Sequence, residues 1–278
     1  MGDELRAPLK IGICQMPVTE DKDINNAKAR SMLREAAEQG SQLVILPEMF
    51  NCPYKTSVFQ KFAEQYPGGK TIAMLSEVAR QEQIYLVGGS IPELEDGVIY
   101  NTSFIFGPGG ELLGKHQKIH LFDADIEDGP CFQESKALGA GSKATVVETP
   151  LGTIGVCVCY DIRFPELSRS MVLRGAELII IPAAFNMTTG PAHWELLLKA
   201  RAVDNQAYVV GAGQAPNEQA CYICYGHSAV VDPWGRITAR AGGEETIIYA
   251  DIDFDLVAKI RRELPLLKHR RPDLYQIK

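Results

Sequence analysis

Short, wholly apolar runs alternate along the chain with longer stretches in which apolar residues recur every three or four positions. Two runs stand out, Leu43-Val44-Ile45-Leu46 and Leu178-Ile179-Ile180-Ile181. Each follows a glycine that closes a helical pattern (Gly40, Gly175), and each is followed by a proline (Pro47, Pro182). Such runs predict strands buried on both faces, each stopped by its proline. Further strands are predicted over 10–16, 84–91, 100–106, 112–115, 145–148, 154–159, 208–212, 227–231, 236–240 and 247–252. Turns at Pro108-Gly109-Gly110, Pro150-Leu151-Gly152 and Pro233-Trp234-Gly235 join three pairs of these into hairpins. Helical spacing covers 23–38, with Asp23 as its cap, and 70–83, 165–174 and 193–205. The repeated order of helix, glycine, apolar strand and proline predicts an α/β protein with an internal two-fold plan. Two similar sheets lie back to back with helices outside. No long Pro/Ser-rich linker interrupts the chain. One domain is expected over 1–278, with its core at about 10–252 and a C-terminal tail over 253–278.

Composition narrows the partners. The 278 residues are 46% hydrophobic and 23% charged, as in an ordinary globular protein. A net charge of -7 leaves no basic stripe for phosphates, so neither a nucleic acid nor an anionic membrane is expected as a partner. The one basic cluster, Lys268-His269-Arg270-Arg271, reads as a solvated tail or a subunit contact. No apolar run reaches the about 18 residues of a membrane span. The first ten residues are polar, and Arg6 occupies the place where a myristoylation motif needs Ser or Thr. A cytoplasmic protein is expected, with mitochondrial import left open. Seven cysteines suit reduced thiols better than a disulfide framework. Cys221 and Cys224 form a C-x-x-C in a stretch, 220–225, that reads as a strand. Residues three apart on a strand face opposite ways, which argues against a shared metal or a redox pair.

Candidate chemistry gathers where apolar strands end. The run Ile154 to Val158 leads to Cys159, and Pro165 then opens a helix. A cysteine between a strand and a helix is exposed as a nucleophile, with the N–H groups after it facing a developing oxyanion. The other reading of Cys159 is a small buried hydrophobe. Glu48 follows Pro47, while Lys118 and Glu134 flank the loop over 120–130. Solvated edge residues are their bland reading. Together, however, they supply what amide hydrolysis by a thiol needs. A base must take the thiol proton, a cation must meet the oxyanion, and a carboxylate must hold that cation.

Three segments carry a resemblance: Leu46-Pro47-Glu48, then Lys115 through Asp123, then Cys159-Tyr160-Asp161-Ile162-Arg163-Phe164-Pro165-Glu166. In this order they resemble the signatures of the nitrilase superfamily of carbon–nitrogen hydrolases, over nearly the whole chain. The resemblance implies a four-layer α-β-β-α sandwich, a Glu48–Lys118–Cys159 triad and a further catalytic-site glutamate, Glu134. It implies no metal and no cofactor. The segments 50–54, 184–197, 201–206 and 225–228 are most similar to omega-amidases. Those enzymes release ammonia from alpha-ketoglutaramate and alpha-ketosuccinamate, leaving 2-oxoglutarate or oxaloacetate. Relatives hydrolyse deaminated glutathione or N-carbamoyl compounds, and these remain the alternative substrates. Such families usually form dimers, through segments matching 165–174 and 264–275 here.

The resemblance places the oxyanion on Lys118 and the Tyr160 N–H. The partner is then a small omega-amide, with water as second substrate. Its distal carboxylate is expected to meet Arg163, since related carbamoylases use an arginine at this position. A structural ion pair is the other reading of Arg163. Tyr54, Phe185 and Thr188 are further substrate-binding candidates. Cys157 reads as core, with a second functional thiol as its other reading. A histidine base drawn from His116, His120, His193 or His227 is the chemical rival, and a non-catalytic scaffold on the same fold is the rival of another class.

Overall fold

The computed structural model describes residues 6–127 and 131–275. Residues 1–5 of the polar N-terminus, 128–130 of the expected 120–130 loop and 276–278 of the expected 253–278 tail lie outside the described residues. The first half runs β1 (Leu9–Gln15), α1 (Lys22–Glu38), β2 (Leu43–Ile45), α2 (Phe59–Phe62), α3 (Lys70–Glu82), β3 (Tyr85–Val87), β4 (Ile91–Glu95), β5 (Val98–Phe106) and β6 (Leu112–Gln117). A small hairpin, β7 (Asp123–Asp125) and β8 (Cys131–Gln133), bridges to β9 (Thr145–Thr149), β10 (Gly152–Val156), α4 (Pro165–Leu173) and β11 (Leu178–Ala183). Then come α5 (Thr189–Asn205), β12 (Tyr208–Gly213), β13 (Ala229–Val231), β14 (Ile237–Arg240), β15 (Thr246–Ile252) and α6 (Phe254–Glu263).

Two sheets result. One has the order β15-β1-β2-β3-β5-β4, with β6 also on β5, and the other the order β14-β13-β12-β11-β10-β9. At each centre three strands run parallel: β1, β2 and β3, and β10, β11 and β12. The apolar runs divide by alternation, as a strand buried on both faces must. Leu43, Ile45, Leu178 and Ile180 point into the layer between the sheets. Val44 and Leu46 point outward to Leu33 of α1 and Leu75 of α3. Ile179 and Ile181 point outward to Met171 of α4 and Leu198 of α5. This is the expected α-β-β-α sandwich.

Several expectations need correction. The strand over 84–91 breaks at Gly88-Gly89 into β3 and β4. Gly89 has φ +55, and a Cβ there would collide with the Pro47 carbonyl, so the break lets the chain pass against the turn that carries Glu48. Pro182 does not stop its strand. β11 runs to Ala183, because β10 has paired only as far as Ile180 and no neighbour on that side needs the missing N–H. The cap of α1 is Asp21, which accepts the N–H groups of Asp23 and Ile24 at 2.8 and 3.1 Å. Helix α5 begins at Thr189, four residues before the expected start, because Asn186 Oδ1 accepts the Thr188 and Thr189 N–H groups. Residues 220–225 form no continuous strand: the chain bends at 220–222 and Cys224 makes a single antiparallel bridge to Asn186, with Cys221 exposed and Cys224 buried.

The expected tail from 253 holds α6, capped by Asp253. Phe254 and Val257 join the layer between the sheets, and Leu267 beyond the helix packs against the α4–α5 layer. Each buried side chain of this size contributes about 1.5–3 kcal/mol, so the core extends past 252.

Candidate active site

The candidate residues meet beyond the carboxyl ends of the central strands, where open parallel sheets place their sites. β2 delivers Glu48, β6 delivers Lys118, β10 delivers Cys159, and the β7–β8 hairpin delivers Glu134. The first sheet thus supplies the base and the cation, and the second the nucleophile. Their meeting depends on the packing between the sheets.

Lys118 is fully buried and lies between two fully buried carboxylates. Its Nζ is 2.9 Å from Glu48 Oε1, and 3.0 and 2.8 Å from Glu134 Oε1 and Oε2. The Tyr54 hydroxyl sits among all three, 3.2 Å from Lys118 Nζ and donating to Glu134 Oε1 at 2.8 Å. Asn101 Nδ2 donates to Glu48 Oε1 at 2.8 Å, and the Phe122 N–H to Glu134 Oε2 at 2.6 Å. Gln214 Nε2 holds the Glu48 carbonyl at 2.5 Å. Burial alone would favour a neutral lysine. The charges of Glu134 and Glu48 outweigh it and hold Lys118 above its ordinary range, so it stays an ammonium.

Glu48 is shifted upward, chiefly by burial and further by Glu134, with Lys118 pulling the other way. A carboxylate so placed is a stronger base than a solvated one. Its Oε1 takes the hydrogen bonds, while Oε2 has no partner among the described residues. That leaves one oxygen for an incoming proton. Cys159 is close enough to exchange influence with Glu48. Its thiol is pushed well up by burial and by the Glu48 charge, against Lys118 and the Ala184 N–H. The resting sulfur is therefore a thiol and needs its base at the moment of attack.

The strand that leads to Cys159 ends earlier than expected, at Val156, and a 3-10 turn spans Cys159–Arg163. Cys159 has φ +47, and Met49, next to Glu48, has φ +48. Left-handed backbone at non-glycine residues costs of order 1–3 kcal/mol and persists where the surroundings impose it. What imposes it at Cys159 is Asp161, a residue the sequence reading passed over. Its carboxylate accepts the Val158 N–H at 3.0 Å, the His120 N–H at 2.9 Å, His120 Nδ1 at 2.7 Å and His116 Nε2 at 3.0 Å. Burial opposes its ionisation, but the two histidines hold its carboxyl well below the usual carboxylate range. Asp161 so ties the nucleophile turn to the chain on either side of Lys118. No local pattern marks it. Its partners are about 40 residues away in sequence, and only the sheet packing reveals them. Asn101 and Gln214 were also missed. A buried amide within or just after an otherwise apolar strand was the available signal.

The candidate histidine bases are occupied elsewhere: His116 and His120 on Asp161, His193 Nδ1 beside Arg163 Nη1 at 3.2 Å, and His227 Nδ1 on the Tyr225 carbonyl at 2.7 Å. Cys157 is fully buried in the α4–α5 layer. A small cavity opens onto Cys159, lined by Phe122, Tyr160, Arg163, Phe185, Thr189 and Tyr222. Arg163 and Phe185 thus stand where a substrate can reach them. Thr188 does not: it is exposed, and its neighbour Thr189 lines the cavity instead. Tyr54 is buried with its hydroxyl engaged by Glu134, Glu48 and Lys118, so it orders the charged cluster rather than presenting a donor to a ligand. The Arg163 guanidinium lies over the Tyr160 and Phe185 rings, 5.6 and 5.0 Å from their centroids. None of the described ion pairs includes it.

A sandwich of this topology with a cysteine, a lysine and two carboxylates at one strand edge defines a class, and sequence comparison agrees. The carbon-nitrogen hydrolase family model matches residues 10–262, and the chain belongs to that family. It is similar to the omega-amidase NIT2 of Mus musculus, 51% identical over 268 residues, 96% of this chain and 97% of that protein. Among solved structures it is similar to Saccharomyces cerevisiae Nit3, a member of branch 10 of the nitrilase superfamily. That match has a TM-score of 0.89 and 42% identity, and covers 96% of this chain and 98% of Nit3. It is also similar to an amidase from Nesterenkonia sp. AN1, with a TM-score of 0.80, 28% identity and 96% of each chain covered. That structure is of a mutant of the amidase, and it shows the acetamide moiety of fluoroacetamide added covalently at the active site cysteine.

Proposed function

We propose that the chain is an omega-amidase. It hydrolyses the terminal amide of short 2-oxo dicarboxylic monoamides, alpha-ketoglutaramate and alpha-ketosuccinamate, through a thioester on Cys159. The carrying observation is the buried Glu48–Lys118–Glu134 cluster beside the Cys159 thiol, in a chain about half identical to omega-amidase NIT2. The covalent adduct on the cysteine of the Nesterenkonia amidase supports the same chemistry here.

In the first step Glu48 takes the Cys159 proton as the sulfur attacks the amide carbon. The C=O electron pair moves onto oxygen, and Lys118 and the Tyr160 N–H stabilise that charge. The three polar partners of Lys118 already occupy its three N–H groups. The longest bond, 3.2 Å to Tyr54, is the one an oxyanion replaces most cheaply. Protonated Glu48 then gives its proton to the nitrogen, ammonia leaves, and the thioester remains. Water enters, Glu48 takes its proton, and the hydroxide attacks the thioester. Collapse of that intermediate expels the Cys159 sulfur, which regains the proton from Glu48. Glu134 holds Lys118 in place throughout.

At the far end of the substrate Arg163 receives the carboxylate, since it lines the same cavity as Cys159 and pairs with no carboxylate among the described residues. Its fork suits a bidentate carboxylate, which lysine cannot reproduce. The working unit is proposed to be one carbon–nitrogen hydrolase domain in a homodimer, with exposed Leu173, Val203, Leu264 and Leu274 at its contact. A cytoplasmic location fits the free cysteines. The test is ammonia release from a panel: alpha-ketoglutaramate, deaminated glutathione, N-carbamoyl-beta-alanine and an aliphatic nitrile. The account expects the first to be preferred and its turnover to vanish in Cys159→Ala. Preference for another member would reassign the substrate within the family.

A further inference from the structure

Arg163 is held at both ends. Its carbonyl accepts from Arg201 Nη2 at 3.2 Å, and the preceding carbonyl, of Ile162, accepts from Arg201 Nε at 2.7 Å. Arg201 is itself buried in α5, so the backbone of the turn after the nucleophile is fixed from the second sheet's helical layer. At the other end Arg163 Nη1 lies 3.2 Å from His193 Nδ1, also on α5. Arginine is only a donor, so His193 must accept through an unprotonated Nδ1 and carry its proton on Nε2. The guanidinium rests over Tyr160 and Phe185, and one of its five N–H groups points to His193. The other nitrogens keep a planar edge for a carboxylate.

We infer that His193 is the specificity-determining positioning residue of this site. It fixes the rotamer of Arg163 so that the fork faces the cavity, which selects omega-amides bearing a distal carboxylate. The inference rests on the reading of Arg163 as the carboxylate clamp. Without the His193 acceptor, a long half-buried side chain regains its rotamer freedom, and substrate binding must order it again. His193 touches neither the sulfur nor the amide. The loss therefore falls on ground-state binding of the carboxylate end and appears in KM rather than kcat.

The test compares alpha-ketoglutaramate with a neutral short-chain amide in wild type, His193→Leu, His193→Asn and Arg163→Lys. His193 is exposed on its helix, so these changes leave the core untouched. His193→Leu is expected to raise KM for alpha-ketoglutaramate about tenfold, the scale of a hydrogen bond to a charged group, with the preference over the neutral amide falling in step. Asparagine places an oxygen near the position of Nδ1, so His193→Asn should restore most of that preference. Two results overturn the inference while leaving the clamp intact. In one, Arg163→Lys lowers the preference but His193→Leu does not. In the other, His193→Asn is as impaired as His193→Leu. If Arg163→Lys lowers both substrates equally, the clamp itself fails, and this inference with it.

Discussion

Replacing Glu134 with glutamine keeps the shape of the side chain and removes one negative charge from a group with no solvent contact. The carboxylate accepts from Lys118 at 3.0 and 2.8 Å, from Tyr54 at 2.8 Å and from the Phe122 N–H at 2.6 Å. Whichever oxygen becomes an NH₂, a donor then faces a donor. Breaking a buried pair by removing one partner costs about 3–5 kcal/mol. Lys118 keeps Glu48 at 2.9 Å, so the lower end applies, about 3 kcal/mol, or roughly 10²-fold in kcat if it falls on the transition state. A second consequence has a definite sign. The Glu134 charge is one of the causes that hold Glu48 above its ordinary range. Glu48 works when ionised, so activity is present above its folded pKa and lost as pH falls through it. Without Glu134 that pKa drops, and the acid limb of kcat/KM moves to lower pH. Steady-state kinetics on alpha-ketoglutaramate across a pH series reads both effects, with circular dichroism to verify folding. A kcat within about threefold of wild type, or an acid limb displaced upward, would refute the placement of Glu134 as the support of Lys118 and a raiser of Glu48.

Lys118→Met keeps the stem and removes the charge aimed at the oxyanion, so thioester formation should fail in a rapid-quench experiment; a change confined to KM would contradict this. Asp161→Asn should lower stability at neutral pH by about 3 kcal/mol, since a charged acceptor of four hydrogen bonds is lost. The folded-state pKa of Asp161 is depressed, so its contribution is full above the ordinary value near 3.9 and fades as pH falls below it. Melting curves of the two proteins should therefore converge in acid, and a constant gap would count against the assignment. Light scattering at micromolar concentration should give a dimer, and a monomer there would remove the proposed contact.

Much of this was legible before any coordinates. Runs buried on both faces, such as 43–46 and 178–181, announce parallel central strands, because nothing polar interrupts them. Glu48 and Cys159 were legible at the ends of apolar strands and Lys118 and Glu134 as the flanks of the 120–130 loop, and together they make a chemical whole. What escaped was set by tertiary partners. Asp161 is an ordinary turn residue until His116 of β6 and His120 just beyond it arrive from the other sheet's side. Pro182 looked like a stop, because the sequence does not tell that β10 has already ended beside it. The break at Gly88-Gly89 exists to clear the Pro47 carbonyl. Helix α6 did leave a signal, since Phe254, Val257 and Ile260 recur every three residues behind the Asp253 cap. Thr188 was one residue from the cavity-lining Thr189, and which of two adjacent threonines faces the cavity is set by the helix start at Thr189.

The measurement closest to the central claim is mass spectrometry of the acid-quenched protein during turnover of alpha-ketoglutaramate. The account predicts an acyl adduct on the peptide that contains Cys159, with ammonia released in the same burst. It predicts neither adduct nor ammonia from Cys159→Ala. Continued ammonia release by that variant, or an adduct on any other residue, would contradict it.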